Sequence, residues 1–198
     1  MLKRTFDLVV SGIGLIVLAP ILILIALVVR LGSRGPAIFR QERVGRGGSV
    51  FRIHKFRTMK VNAAQNGPML TSGADARVTW IGRYLRRHKL DELPQLLDVF
   101  TGRMSLVGPR PEVPRYVELY PSEIRAKILS VAPGITDPAS LSFMNENEIL
   151  EHATDPERTY VECVMPRKLA LALEYVENRS FLLDLKIIAR TLQRIVVP

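Results

Sequence analysis

Leu8-Val9-Val10-Ser11-Gly12-Ile13-Gly14-Leu15-Ile16-Val17-Leu18-Ala19-Pro20-Ile21-Leu22-Ile23-Leu24-Ile25-Ala26-Leu27-Val28-Val29 carries no charge over twenty-two positions, and most of them are Leu, Ile or Val. As a helix the run rises about 33 Å, enough to cross a hydrocarbon core of about 30 Å. It is too long for a signal peptide and lacks the small-residue cleavage pattern. Pro20 follows Ala19 near the middle, where a proline removes a backbone hydrogen bond and bends the axis. The halves 8–19 and 20–29 are each about 15–18 Å long and reach roughly the midplane. Lys3 and Arg4 precede the run and Arg30 and Arg34 follow it, so neither end prefers the far side. Two readings stand at this point: a single-pass anchor, since spanning helices tolerate proline, and a re-entrant helix that returns to its side of entry. Residues 30–60 hold nine basic residues against one acid, Glu42, which keeps that flank cytoplasmic.

The rest of the 198 residues supports one domain with a core. Apolar content of 47% and charged content of 24% exclude a disordered chain. A formal charge of +9 points to a polyanionic partner: nucleic acid, anionic lipid or a phosphate-rich substrate. Nucleic acid is disfavoured, because no helix-turn-helix or aromatic-basic pattern is present. Cys163 is the only cysteine, so no intrachain disulfide forms, and His54, His88 and His152 lack zinc spacing.

Residues 38–44 and 50–56 alternate around Gly45-Arg46-Gly47-Gly48, which predicts a β-hairpin with one apolar and one basic face. Its cations, ending in Lys55-Phe56-Arg57-Thr58-Met59-Lys60, suit either an anionic lipid surface or substrate phosphates. Residues 61–75 read as an exposed loop. Residues 78–89 have helical spacing, with Trp80, Ile81, Tyr84 and Leu85 apolar and Arg83, Arg86 and Arg87 opposite.

That helix leads into Leu90-Asp91-Glu92-Leu93-Pro94-Gln95. Pro94 belongs to a first helical turn, so the two carboxylates fall at a helix N-terminus, where the dipole and neighbouring cations hold them ionised. Such a carboxylate serves as a nucleophile or as a ligand for a hard metal ion; it also serves as an ordinary cap. Further on, Pro109-Arg110-Pro111 restricts the backbone on both sides of an arginine, which suits a clamp on phosphate. In the C-terminal third, residues 145–151 predict a helix, Asp155-Pro156 a turn, and Met165-Pro166 a helix through about Asn178. Ser180 caps a last helix with Phe181, Leu185, Ile188, Leu192 and Ile195 on one stripe, either interfacial or core.

Taken together these pieces resemble the bacterial sugar transferase family, the monotopic phosphoglycosyl transferases of glycoconjugate assembly. The resemblance rests on the KRxFD start and apolar arm, KFRTM at 55–59, LDELPQLLDVFTGRMSLVGPRP at 90–111, and Pro133-Gly134-Ile135-Thr136. It implies a mostly α fold with a small β-hairpin: a re-entrant membrane helix over 1–34, bent at Ala19-Pro20, and a compact cytoplasmic catalytic domain over 35–198 with interfacial amphipathic helices. It implies Asp91 and Glu92 as the catalytic pair and as magnesium ligands, and Lys55, Arg57, Arg86, Arg87, Pro109, Arg110 and Pro111 as substrate-binding residues. Asp91 would take a phosphosugar from a UDP-sugar, release UMP, and pass it to polyprenol phosphate. The implied setting is the cytoplasmic face of the bacterial inner membrane, with phospholipid and downstream glycosyltransferases as partners. The competing reading is a membrane-anchored basic protein that binds anionic lipid or nucleic acid without catalysis. Two positions depart from the family pattern: Ala19 stands where Ser is common, and Asp137-Pro138-Ala139-Ser140 replaces a Gly, Gln and Arg pattern.

Overall fold

In the computed structural model, residues 1–61, 75–143 and 146–196 are described. The chain order is α1 (Leu2–Gly32), a hairpin of β1 (Ile38–Val44) and β2 (Val50–Phe56), and α2 (Trp80–Arg87). A 3-10 turn (Leu90–Gln95), α3 (Leu96–Phe100) and β3 (Ser105–Val107) follow. Next come α4 (Pro114–Val117), α5 (Ser122–Ile128), β4 (Gly134–Thr136) and α6 (Pro138–Ser142). α7 (Glu146–Glu151), α8 (Pro156–Thr159), a π-helical segment (Tyr160–Val164), α9 (Met165–Asn178) and α10 (Phe181–Val196) complete the chain. The fold is mostly helical, as the sequence predicts. The loop expected over 61–75 lies, but for its two end residues, outside the described residues.

α1 runs as one helix through Ala19 and Pro20, so the proline does not end it. Only Asp7, Ser11 and Val29 are buried along it, while Ile16 and Leu31 are 77% and 85% exposed. Its bare face continues through Ile13, Val17, Ile23, Leu24 and Leu27. The helix is long and apolar enough to cross a membrane.

Both ends of α1 are fastened to the same body. Lys3 Nζ donates to Val107 O at 2.9 Å and to Asp184 Oδ2 at 2.6 Å. Arg4 donates to the C-terminal carbonyls of α3, Val99 O at 2.6 Å and Phe100 O at 2.8 Å. Phe6 stacks edge-on against Phe181, and Asp7 accepts from Ser105 Oγ at 2.7 Å. At the other end Val29 joins Phe56, Ile81 and Leu85 in an apolar cluster. Between them Gly12 and Gly14 let α1 lie close against Phe100 and Leu96. Lys3 and Arg4 thus act as docking contacts as well as flanking charges.

The hairpin forms as expected, antiparallel from Ile38↔Phe56 to Val44↔Val50, and turns at Gly47 (φ 68°) and Gly48 (φ 80°). Its faces do not sort into apolar and basic. Strand alternation puts Phe51, Ile53 and Lys55 on one face, with Arg43 opposite Phe51. α2 is capped by Thr79, whose Oγ1 accepts from Gly82 N at 3.0 Å. Ile81 and Leu85 are buried, but Trp80, beside Gly32 at the end of α1, and Tyr84 are exposed, and Arg86 is half-buried rather than solvated. α9 has the predicted bounds, and Ser180 Oγ caps α10 by accepting from Leu183 N at 3.2 Å. The predicted apolar stripe of α10 is packed in part: Phe181 meets Phe6 and Ile188 packs with Val107, Tyr175 and Ile187, whereas Leu185 and Leu192 are exposed. Asp184 is buried beside it with Lys3 and Tyr175 as partners. The side chain of Ile195 lies outside the described residues.

β3 and β4 pair in parallel, Ser105↔Gly134 and Val107↔Thr136. Gly134 N also donates to Pro109 O at 3.0 Å. A Cβ on Gly134 would overlap the backbone of Gly108. Gly134→Ala is therefore expected to lower stability by about 1–3 kcal/mol, the usual cost of overpacking, read as a fall in Tm; an unchanged Tm would show that the two backbones are free to separate.

Candidate functional site

The chain reverses between α2 and the 3-10 turn at Lys89, whose φ of 55° is the only positive value among described non-glycine residues. That conformation costs energy for a side chain bearing Cβ and is held here by the elements on either side. The turn itself contains Asp91 and Glu92, with Pro94 inside it, so the pair lies in the first turn before α3 as predicted. β2 runs alongside the turn and brings Lys55 up to it.

The two carboxylates are shifted in opposite directions. Glu92 Oε1 accepts from Lys55 Nζ at 2.8 Å and from Arg110 NH2, and its Oε2 accepts from Arg110 NH1 at 3.1 Å. Burial disfavours its charge, but Arg110 and Lys55 outweigh burial and hold Glu92 well below its ordinary 4.5. Glu92 in turn raises Arg110, while burial lowers Lys55. Asp91 is 9% exposed, and among the described residues its carboxylate receives no hydrogen bond. Burial first, and then the charge of Glu92, push it above its ordinary 3.8 against the pull of Lys55, Arg86 and Arg110. Nearby cations favour the ionised form of both groups, as expected, but only for Glu92 do they outweigh burial. Unshared lone pairs and raised basicity are what a nucleophilic carboxylate needs.

Of the other residues singled out in the sequence, Arg86 comes to the site, its Nε donating to Thr58 Oγ1 at 2.9 Å. Pro109 and Pro111 are buried on either side of Arg110 and present its guanidinium to Glu92. Arg87 is exposed on α2, and Arg57 points to the end of α1, away from the carboxylates.

Several residues were not foreseen. Asp137 is 1% exposed, accepts from Arg110 N at 3.2 Å and caps α6 by accepting from Ser140 N at 2.7 Å. Behind Arg110, Glu112 accepts from Arg43 NH1 at 2.9 Å and from Tyr160 OH at 2.5 Å. Burial, followed by the charge of Glu112, raises the Tyr160 phenol and keeps it a donor. Asp98, fully buried, accepts from His54 N at 2.9 Å and contacts its Nδ1 at 2.8 Å, pinning α3 to β2. Glu112 and Asp137 directly follow quoted motifs, Pro109-Arg110-Pro111 and Pro133-Gly134-Ile135-Thr136, which was the signal available; no spacing rule links His54 to Asp98.

For magnesium, the donor set is partial. Both oxygens of Glu92 are taken by cations, whereas those of Asp91 are unengaged. Among the described residues no three His, Cys, Asp or Glu side chains converge. Magnesium ordinarily takes one or two carboxylates plus phosphate oxygens and water, and Asp91 fits that pattern.

Fold and site define a class: a helix-fronted, mostly α domain in which one unpaired carboxylate lies beside a second that two cations hold. The chain belongs to the bacterial sugar transferase family, whose model matches residues 1–198. It is 39% identical over 196 residues to the UDP-glucose:undecaprenyl-phosphate glucose-1-phosphate transferase of Escherichia coli strain K12, covering 96% of this chain and 39% of that protein. It is 37% identical over 196 residues to the uncharacterized sugar transferase EpsL of Bacillus subtilis strain 168, covering 99% of this chain and 88% of that protein. It is likewise 37% identical over 199 residues to the exopolysaccharide production protein PSS of Rhizobium leguminosarum bv. phaseoli, covering 96% and 92%. The chain thus spans about two fifths of the length of the Escherichia coli relative and most of the other two.

Proposed function

We propose that this chain transfers a phosphosugar from a UDP-sugar to undecaprenyl phosphate through a covalent intermediate on Asp91, at the cytoplasmic face of the bacterial inner membrane. The carrying observation is the asymmetry of the pair, a free, basic Asp91 beside a Glu92 held by Lys55 and Arg110. A carboxylate oxygen of Asp91 attacks the phosphorus that bears the sugar, and an O–P bond forms. The bond from that phosphorus to the bridging oxygen breaks, and UMP leaves with the electron pair. An oxygen of the lipid phosphate then attacks the same phosphorus, and the Asp91 carboxylate is regenerated. A covalent intermediate lets an aqueous donor and a membrane-embedded acceptor use one site in turn. Arg110 and Arg86 stabilise charge on the phosphates, and Glu92 keeps Arg110 and Lys55 in place. Magnesium, which Asp91 could hold together with the donor's phosphates, would neutralise charge on the departing UMP.

The same proposal makes α1 re-entrant. A body fastened to residues 3–7 and again to residues 29–34 sits on one side of the bilayer, which favours a helix that enters and returns over one that spans. Trp80 and Tyr84 on α2 and Leu182 and Leu185 on α10 supply exposed apolar groups for an interfacial position.

The test is UMP release with UDP-sugars, magnesium and no lipid acceptor, followed across pH. Because the reactive form of Asp91 is the carboxylate, the rate is expected to fall on acidification. No UMP without acceptor, or a rate that does not fall as Asp91 is protonated, would contradict the assignment.

A further inference from the structure

The last carbonyls of a helix have no intrahelical partner, and at a bilayer boundary they need one. α1 ends at Gly32, and one side chain binds both its last turn, at Val29 O, and the two residues that leave it. Arg57 NH2 donates to Ser33 O at 2.7 Å, to Ser33 Oγ at 2.9 Å and to Val29 O at 3.2 Å, and its NH1 donates to Arg34 O at 2.6 Å. Arg57 is 6% exposed, so this is a built contact rather than a surface arginine resting on a helix end. The neighbouring backbone is shaped for it. Gly35 has φ +116°, open to glycine and strained for other residues, and a Cβ there would collide with Arg57 NH1.

Arg57 also sits where its hold on α1 reaches the carboxylates. Two residues before it, Lys55 grips Glu92; its neighbour Phe56 packs on Val29; Thr58, next in line, accepts from Arg86 and, through its carbonyl, from Thr79 N at 2.9 Å. Residues 55–58 therefore connect the exit of α1 to the domain that carries Asp91.

We propose that Arg57 is a positioning residue: by capping the exit of α1 it sets how deep the domain rides at the membrane, and hence where a lipid-borne phosphate meets Asp91. The proposal rests on the phosphosugar-transfer reading only for its second consequence. Depth should move the step that uses the lipid and spare the step that uses the soluble donor. A phosphate-binding role for Arg57 predicts the reverse.

Trp80 makes the depth itself measurable. It is the only tryptophan of the chain, is 63% exposed, and its Nε1 lies beside Gly32, 3.8 Å from where a Cβ on that glycine would sit. The experiment uses the full chain in phosphatidylethanolamine–phosphatidylglycerol vesicles doped with lipids brominated at different acyl depths. Trp80 quenching is compared for wild type, Arg57→Lys and Ser33→Ala, alongside UMP release with donor alone and transfer to polyprenol phosphate. For Arg57→Lys, which keeps the charge and loses the fork, we expect a shifted quenching profile and donor-only UMP release within about threefold of wild type. Transfer to lipid is expected to fall about tenfold or more. Ser33→Ala, which removes one of four bonds, should move each readout the same way and less. An unchanged quenching profile in both variants overturns the proposal, as does a loss confined to the donor step. If wild type releases no UMP, the reaction assignment fails while the quenching comparison still decides the role of Arg57.

Discussion

Asp91→Asn is expected to lower UMP release from donor alone by about 10³-fold or more, ~4 kcal/mol of barrier, while the protein folds at least as well as wild type. Both halves follow from one feature. The amide keeps the shape of the side chain and removes the only group in the turn with free, basic oxygens. The stability sign comes from linkage. The folded state raises the pKa of Asp91 above 3.8, so between the two values the folded protein binds more protons than the unfolded chain, and stability falls as pH rises through that window. At neutral pH the buried charge therefore costs stability, and the neutral amide removes that cost. A site that sacrifices stability for reactivity gains stability when it is disabled. Turnover that persists, or a Tm that drops sharply, would sink this account of Asp91.

Glu92→Ala should behave in the opposite way and fail mainly as a fold. It leaves Lys55 and Arg110 buried without their shared carboxylate, and breaking a buried pair from one side costs about 3–5 kcal/mol. The side chains of Lys55 and Glu92 are only 17% and 13% exposed, so solvent cannot take over. pH supplies a second signature. The folded pKa of Glu92 is depressed, so its stabilisation is present above 4.5 and lost as pH falls through the folded value. Glu92→Gln should flatten that acid dependence. Denaturant titration at neutral and acid pH reads both; a loss under about 1 kcal/mol, the worth of an exposed pair, would mean that the cations have other partners.

Much of this is legible in the chain itself. A long uncharged run, an alternating hairpin around glycines and a proline inside a first helical turn are local signals, and α1, β1–β2 and the turn at Asp91 follow them. What was not legible is long-range. Lys3 and Arg4 read as flanking charges because only the fold shows them reaching Val107, Val99 and Phe100. The burial of Asp184 on α10 was hidden, because its partner Lys3 lies 181 positions away. Arg57 read as one more cation of a basic stretch, since nothing in KFRTM says that its fork closes on the end of α1 and the two residues after it. Asp91 and Glu92 looked equivalent in sequence. Burial and the particular reach of Lys55 and Arg110 separate them, and neither is encoded by spacing.

The assignment of roles within the pair meets its most direct test in the intact mass of the purified protein after incubation with a UDP-sugar and magnesium and no lipid acceptor. The account predicts a mass gain of one phosphosugar, located on the peptide that contains Asp91, absent from Asp91→Asn and discharged by polyprenol phosphate. UMP formed only when the lipid is present, with no adduct at any time, would mean direct displacement and would contradict it.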